Sequence, residues 1–265
     1  MRLALLLLAA ALAGCSPKPK VLRVCADPNN LPFSNARGEG FENRLAELVA
    51  KDLGMRVEYT WWAQRRGYVR NTLKERQCDV WPGVATQVEM LATTQPYYRS
   101  TYVFVTRADR GLSIASLDDP QLRSLRIGVQ MIGDDSSNTP PTHALARRGI
   151  TDNVRGYMLY GDYAKPNPPA EIVDAVGRGD VDVAVVWGPL AGYFAKRAEP
   201  PLSITPVRPW LDGPQWPMVF DISMGVRKDD LELRDRLDEV LVRRRGDVQA
   251  LLAEYGVPTV AEPGA

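Results

Sequence analysis

Histidine is almost missing from this chain, which carries one, His143, and three cysteines in 265 residues. One imidazole cannot furnish a multi-histidine metal site, and Ser34, Ser100 and Ser136 have no histidine at motif spacing. Triad hydrolysis and most zinc chemistry are therefore excluded. No paired-carboxylate motif takes their place, so the chain reads as a protein without catalytic machinery, and no metal or cofactor is implied. An excess of charge is missing too: 33 basic against 32 acidic residues leave a formal +1, without the basic footprint that nucleic acid requires. The apolar run at the start, from Leu3 to Leu12, is too short to span a bilayer. What the chain does have is 45% apolar and 25% charged residues, ample material for the cores of one large or two modest α/β domains.

Arg2, the apolar run and the small residues Ala13 and Gly14 before Cys15 make a secretory signal peptide, so the mature chain is expected outside the cytoplasm. Leu12-Ala13-Gly14-Cys15 resembles a bacterial lipobox, which implies lipidation at Cys15 and a polar tether from Ser16 to Lys20. Residues 1–20 are thus signal and tether, and the body is expected in the periplasm, anchored to a membrane by its lipid; the alternative is ordinary signal cleavage near the same place. Setting Cys15 aside leaves Cys25 and Cys78, an even pair bound for an oxidising compartment, and a disulfide is the natural reading. Closing that loop would contribute about 4 kcal/mol in the chain-entropy picture.

From residue 21 onward, short β-like runs alternate with amphipathic helical runs, the signature of a parallel α/β sheet. Strands are expected at 21–26, 55–60 and 78–81, the last ending at Pro82-Gly83, with helices at 41–53 and 68–76. Neighbouring first and third strands would place Cys25 and Cys78 within bonding reach, their Cα atoms within about 7 Å. After a β-rich run at 101–107 a second set begins, with strands at 126–130, 154–159 and 181–186 and helices at 142–148 and 170–176. A strand at 220–226 and helices at 231–244 and 248–255 complete the chain. The expected lobes are 21–107 with 208–265, and 108–207, connected by two crossing strands. Long irregular pieces at 27–40, 133–141, 160–169 and 210–217 fall at strand ends, where open α/β sheets place their ligand crevice.

Gly40, Glu42, Leu53-Gly54, Asp79, Gly83 to Thr86, and Pro96-Tyr97-Tyr98 follow the pattern of the first lobe of type II periplasmic solute-binding proteins. Gly179-Asp180-Val181-Asp182 before an apolar strand, and Tyr255-Gly256 near the end, agree with the rest of that fold. A narrower resemblance rests on Cys25 to Ser34, on Thr139-Pro140-Pro141-Thr142-His143, on Tyr163 with Asn167-Pro168-Pro169, and on Val181 to Tyr193. On these segments the chain resembles the quinoprotein-dehydrogenase-associated solute-binding-like proteins of the MxaJ/XoxJ type. That resemblance implies a two-lobed α/β fold and an accessory or docking role toward a periplasmic PQQ-dependent methanol or alcohol dehydrogenase, with or without its cytochrome c. The alternative is a receptor that delivers a small solute to the permease of an ABC-type importer.

Two departures from the amino-acid-binding pattern bear on the choice. Met90 stands where an arginine would clamp a substrate carboxylate, and Trp187 where an aspartate would take the amine. Without both anchors an ordinary amino acid is not the expected ligand. The candidate residues for ligand or partner are Asp27, Asn29, Phe33, Trp81, Thr86, Asp134, Asp135, Asn138, Trp187 and Trp216, all near expected strand ends or loops. Core packing is the plainer reading of Trp61 and Trp62. Local turn and capping chemistry is the plainer reading of Asp134, Asp135 and Asp162, and local bonding that of His143. Arg243, Arg244 and Arg245 read as an exposed helix end.

Overall fold

The computed structural model describes residues 20–132, 138–160 and 162–261. Cys15, Asp134 and Asp135 lie outside the described residues. Along the chain the elements are β1 (Lys20–Ala26), β2 (Asn29–Asn30), β3 (Ser34–Asn35), α1 (Phe41–Asp52), β4 (Met55–Trp61), a helical turn at Arg70–Lys74, β5 (Val80–Ala85), β6 (Ala92–Thr93) and β7 (Tyr98–Arg107). There follow β8 (Ile127–Met131), α2 (Pro140–Arg147), β9 (Val154–Met158), α3 (Glu171–Arg178), β10 (Val183–Trp187), α4 (Gly188–Ala195) and β11 (Leu202–Pro206). The chain closes with β12 (Leu211–Asp212), β13 (Trp216–Pro217), β14 (Val219–Val226), α5 (Leu231–Arg243) and α6 (Arg245–Glu254).

Helix α1 forms where Leu45, Ala46, Val49 and Ala50 return at helical spacing, and these side chains are buried against β1 and the C-terminal helices. It ends at Gly54, whose φ of +66° suits a residue without a Cβ. The helix expected at 68–76 is only the turn Arg70–Lys74, several short strands were not expected, and two further differences bear on the cavity. Strand β5 runs through Pro82-Gly83 to Ala85, because it meets β1 only at Val24–Val80 and the missing proline N–H costs no bond on that side. Helix α4 follows Trp187 directly, where a proline in its first turn starts the helix and Gly192 lets it approach Gly256.

Strand order is β4-β1-β5-β14-β7-β10-β8-β9, with β6 and β11 branching from β14 and β7. The hydrogen-bonded path is continuous from β4 to β9. Packing changes partners inside β7. Tyr98 belongs to a core built from residues 22–98 and 222–257, whereas Tyr102 to Val105 belong to cores drawn from 102–218. Correspondingly, β7 pairs with β14 over Tyr98–Thr101 and with β10 and β11 over Tyr102–Arg107.

Cys25, in β1, and Cys78, just before β5, are joined by a disulfide with Cα atoms 5.4 Å apart, inside a small cluster with Tyr68, Leu73 and Val84. The basic run at the α5–α6 junction is not a bare helix end: Arg243 and Arg244 each reach Asp52 at 2.6 Å and fasten the C-terminal helices to α1. Asp182 is held by Arg126 and Arg110, whose charge-assisted bonds lower its carboxyl to about 2 despite partial burial.

Candidate functional site

A cavity of about 260 Å³ lies beside β7, β10 and β14. Its walls come from both sides. Asn30, Phe33, Glu42, Gln64, Gly83, Tyr98 and Ile222 line one, and Gln130, Leu159, Tyr160, Trp187 and Leu190 the other, with Tyr102 and Phe220 between them. On one flank Trp187, Tyr102 and Phe220 meet edge to face, with ring centroids 5.4 to 6.4 Å apart.

Glu42 sits in the first turn of α1, one turn before Leu45 and Ala46 and two before Val49, so the stripe that builds the core also turns this acid inward. The helix start is held by the loop before it: Phe41 N–H donates to Pro32 O at 2.8 Å and Glu42 N–H to Phe33 O at 2.9 Å. Asn43 Oδ1 accepts from the N–H groups of Asn35 and Gly40, both at 3.1 Å. Gly40 is required there, since a Cβ would fall 2.0 Å from Phe33 O. Opposite, a Cβ on Gly83 would fall 1.9 Å from Glu42 Oε1, so the glycine leaves the room the carboxyl occupies. Burial pushes that carboxyl up to about 8, and the charge of Asp27 adds to the effect. At neutral pH it is mostly protonated. No lysine, arginine or histidine is among the wall residues.

Behind the cavity a clasp joins the segment after β1 to the segment after β9. Asp27 is fully buried and accepts the N–H of Asn29 at 2.8 Å, the N–H of Gln64 at 2.7 Å and the Tyr163 hydroxyl. Asn29 Nδ2 donates to the carbonyls of Lys165 at 2.9 Å and Tyr163 at 3.4 Å, and the Arg65 guanidinium lies over the Tyr163 ring at 4.7 Å. Gln64 Oε1 in turn accepts from Asn30 Nδ2 at 2.8 Å. Burial, and after it the bond to Asp27, pushes the Tyr163 hydroxyl well above the ordinary tyrosine range, so it stays a donor.

Of the ten candidate residues, Phe33 and Trp187 line the cavity. Asp27 and Asn29 form the clasp behind it. Trp81 instead packs on Tyr68 at 5.0 Å beside a wider groove, and Thr86 shares a 2.6 Å hydroxyl bond with Ser223 that ties β5 to β14. Asn138 serves the turn before α2, donating its N–H to His143 Nε2 at 3.3 Å, and Trp216 stacks on His143 with centroids 4.1 Å apart. Asp162 takes the N–H of Ala164 in a local turn. Trp61 is half-buried and stacks on Tyr59, while Trp62 is largely exposed. Met90 is also exposed, in a depression with Leu73, Leu91 and Arg227 away from the cavity. The missing carboxylate clamp is therefore established by the walls themselves and not by Met90. Glu42, Gln64, Gln130, Tyr98 and Tyr102 are among the cavity residues outside the ten candidates. Glu42 had a visible signal, an acid on an apolar helical stripe; Gln130, whose Oε1 accepts the Trp187 N–H at 2.9 Å, had a weaker one, an amide inside an apolar strand.

Among the described residues no group of three or more histidine, cysteine or acidic side chains is placed to hold a metal, and no helix is long and apolar enough to cross a membrane. The family model of bacterial extracellular solute-binding proteins, family 3, matches residues 22–257. Protein MoxJ of Methylorubrum extorquens is 34% identical over 261 residues, covering 94% of this chain and 85% of that protein. Protein MoxJ of Paracoccus denitrificans is 31% identical over 268 residues, covering 94% of each. The crystal structure of the periplasmic binding protein XoxJ from Methylobacterium extorquens AM1 superposes with a TM-score of 0.75 at 36% identity, over 91% of this chain and all of that one.

Proposed function

Because the chain belongs to family 3 of the bacterial extracellular solute-binding proteins and is MoxJ/XoxJ-like throughout, we propose that it is a non-catalytic accessory protein that docks to a periplasmic PQQ-dependent alcohol dehydrogenase. In this reading it acts in the periplasm, held to a membrane by a lipid on Cys15. The observation that carries the proposal is a cleft cavity walled by aromatic rings, with one acid and no cation. A free amino acid would bury its carboxylate there without a partner, at a cost of several kcal/mol. The halves 21–107 with 208–265, and 108–207, are taken as lobes that close on this cavity about β7 and β14.

For docking, the two-stranded β12–β13 hairpin is the best-supported surface. It carries Trp216 and the exposed Leu211, and Arg147 and Arg148 fasten it to α2 through the buried Asp212. A rigid, half-buried tryptophan is the kind of anchor that dominates protein interfaces. Pull-down of a purified quinoprotein dehydrogenase on the full chain tests the reading. Retention is expected, weakened about tenfold or more by Trp216→Ala, as for a hot spot of about 2 kcal/mol. Trp187→Ala, at the cavity, would weaken retention only if the partner senses cleft closure. The importer-receptor reading draws support from a cavity of small-molecule size whose walls come from remote segments. Tight binding of a free amino acid with no dehydrogenase retained would favour it and overturn the docking proposal.

A further inference from the structure

Three polar side chains more than nine-tenths buried, those of Glu42, Tyr98 and Tyr102, open on the cavity, and no side-chain hydrogen bond links them to another described residue. Their polar atoms are not sealed off without a partner but keep access to the cavity, so solvent or a ligand there is what meets them. The walls also state the sign of that partner. Among the described residues Glu42 is the one charged-type residue lining the void, the charge of Asp27 acts on it, and Trp187, Phe220 and three tyrosines make much of the rest of the lining aromatic. The cavity, about 260 Å³, is of a size to take a small molecule.

We propose that the cavity binds a small organic cation, a methylated or quaternary ammonium, with the Glu42 carboxylate as counter-ion and the rings of Tyr98, Tyr102 and Trp187 around its methyl groups. A methylated ammonium fits better than a primary one. It sheds water more readily, needs fewer hydrogen bonds, and gains from aromatic faces in a desolvated site. The inference rests on the cavity being a ligand site; it is independent of whether the chain docks to a dehydrogenase.

Binding is coupled to a proton. The titratable groups that face Glu42 are Asp27 beyond β1, Tyr68 before the helical turn, and Tyr97 and Tyr98 of the β7 segment, with no basic group among them. Burial holds the three phenols protonated, well above their ordinary range. In the empty cavity the Glu42 carboxyl sits at about 8, so near pH 7 it carries a proton that an incoming cation displaces.

Calorimetry on the full chain with choline and its neutral carbon isostere, 3,3-dimethyl-1-butanol, in buffers of different ionisation enthalpy, tests this. Choline is expected to bind roughly tenfold tighter than the isostere, with close to one proton released near pH 7 and close to none near pH 9.5. Glu42→Gln should remove the preference and the proton release while leaving the isostere's affinity in place. Equal affinity for both ligands would overturn the cation while keeping the cavity as a ligand site. Choline binding that Glu42→Gln leaves untouched would also overturn it, by locating the cation elsewhere. If neither ligand binds, the ligand-site premise fails with it, whereas dehydrogenase retention is read separately by pull-down.

Discussion

Asp212 in the β12–β13 hairpin and Glu42 at the cavity are both more than nine-tenths buried, but they face opposite surroundings. Asp212 accepts Arg147 at 2.9 Å and Arg148 at 2.6 Å, and Arg148 is itself shielded and pushed upward in pKa by its bonds to Asp212 and Asp118. Glu42 meets no cation and avoids the cost of burial by keeping its proton. An acid whose charge is already answered is part of the scaffold. An acid left neutral in a void with open tyrosines beside it is available to a ligand. The difference separates the region that holds a surface hairpin in place from the region that has something to bind.

The comparison breaks most decisively at Asp212. Asp212→Ala leaves Arg148 shielded with only Asp118 to answer it, and should cost about 3 kcal/mol of stability, measured by urea unfolding. A loss below about 1 kcal/mol would mean that Asp118 suffices and the buried pair is incidental.

At Glu42 the sign reverses. Its folded pKa of about 8 lies above the ordinary 4.5, so the stability it contributes is complete below 4.5 and is lost as pH rises toward 8. Glutamine does not titrate and escapes that loss. Glu42→Gln should therefore unfold like the wild type near pH 4 and be the more stable by on the order of 2 kcal/mol near pH 8. A variant less stable than the wild type across that range would show that the carboxylate is paired after all.

The smallest effect is expected at the clasp. Tyr163→Phe removes one charge-assisted bond to Asp27 and should raise hydrogen exchange in residues 162–167 about tenfold, or 1.4 kcal/mol of local stability, with global unfolding little changed. Unchanged exchange would indicate that Asn29 and Arg65 alone hold the segment.

Much of the fold was legible because it depends on local periodicity. Leu45, Val49 and Gly54 announce α1 and its end, and the alternation of strand and helix announces the sheet. Pairing of Cys25 with Cys78 followed from counting once Cys15 was set aside. Strand β5 was cut short at Pro82 because the rule against proline in strands holds only where its N–H would be bonded, whereas here β1 meets β5 only at Val80 and the pairing with β14 slips register between Ser223 and Gly225. The cavity was mostly illegible. Phe33 and Trp187, named from their place near strand ends, line the cavity, while Trp81, Thr86 and Trp216, named by the same rule, lie elsewhere.

By itself, then, the sequence determined the α/β architecture, the disulfide partners and the kinship, because these are written in spacing, parity and motif. Only the tertiary structure decided that Glu42 would be an unpaired acid and Asp212 a paired one. Nothing in the residues flanking either carboxylate states what will face it: the arginines of Asp212 arrive from α2, some 64 residues earlier, and the empty space beside Glu42 is made by Gly83, Tyr98 and Trp187 from three different strands. Whether a buried charge is satisfied depends on distance in space, and distance in space between remote segments is set by the fold as a whole.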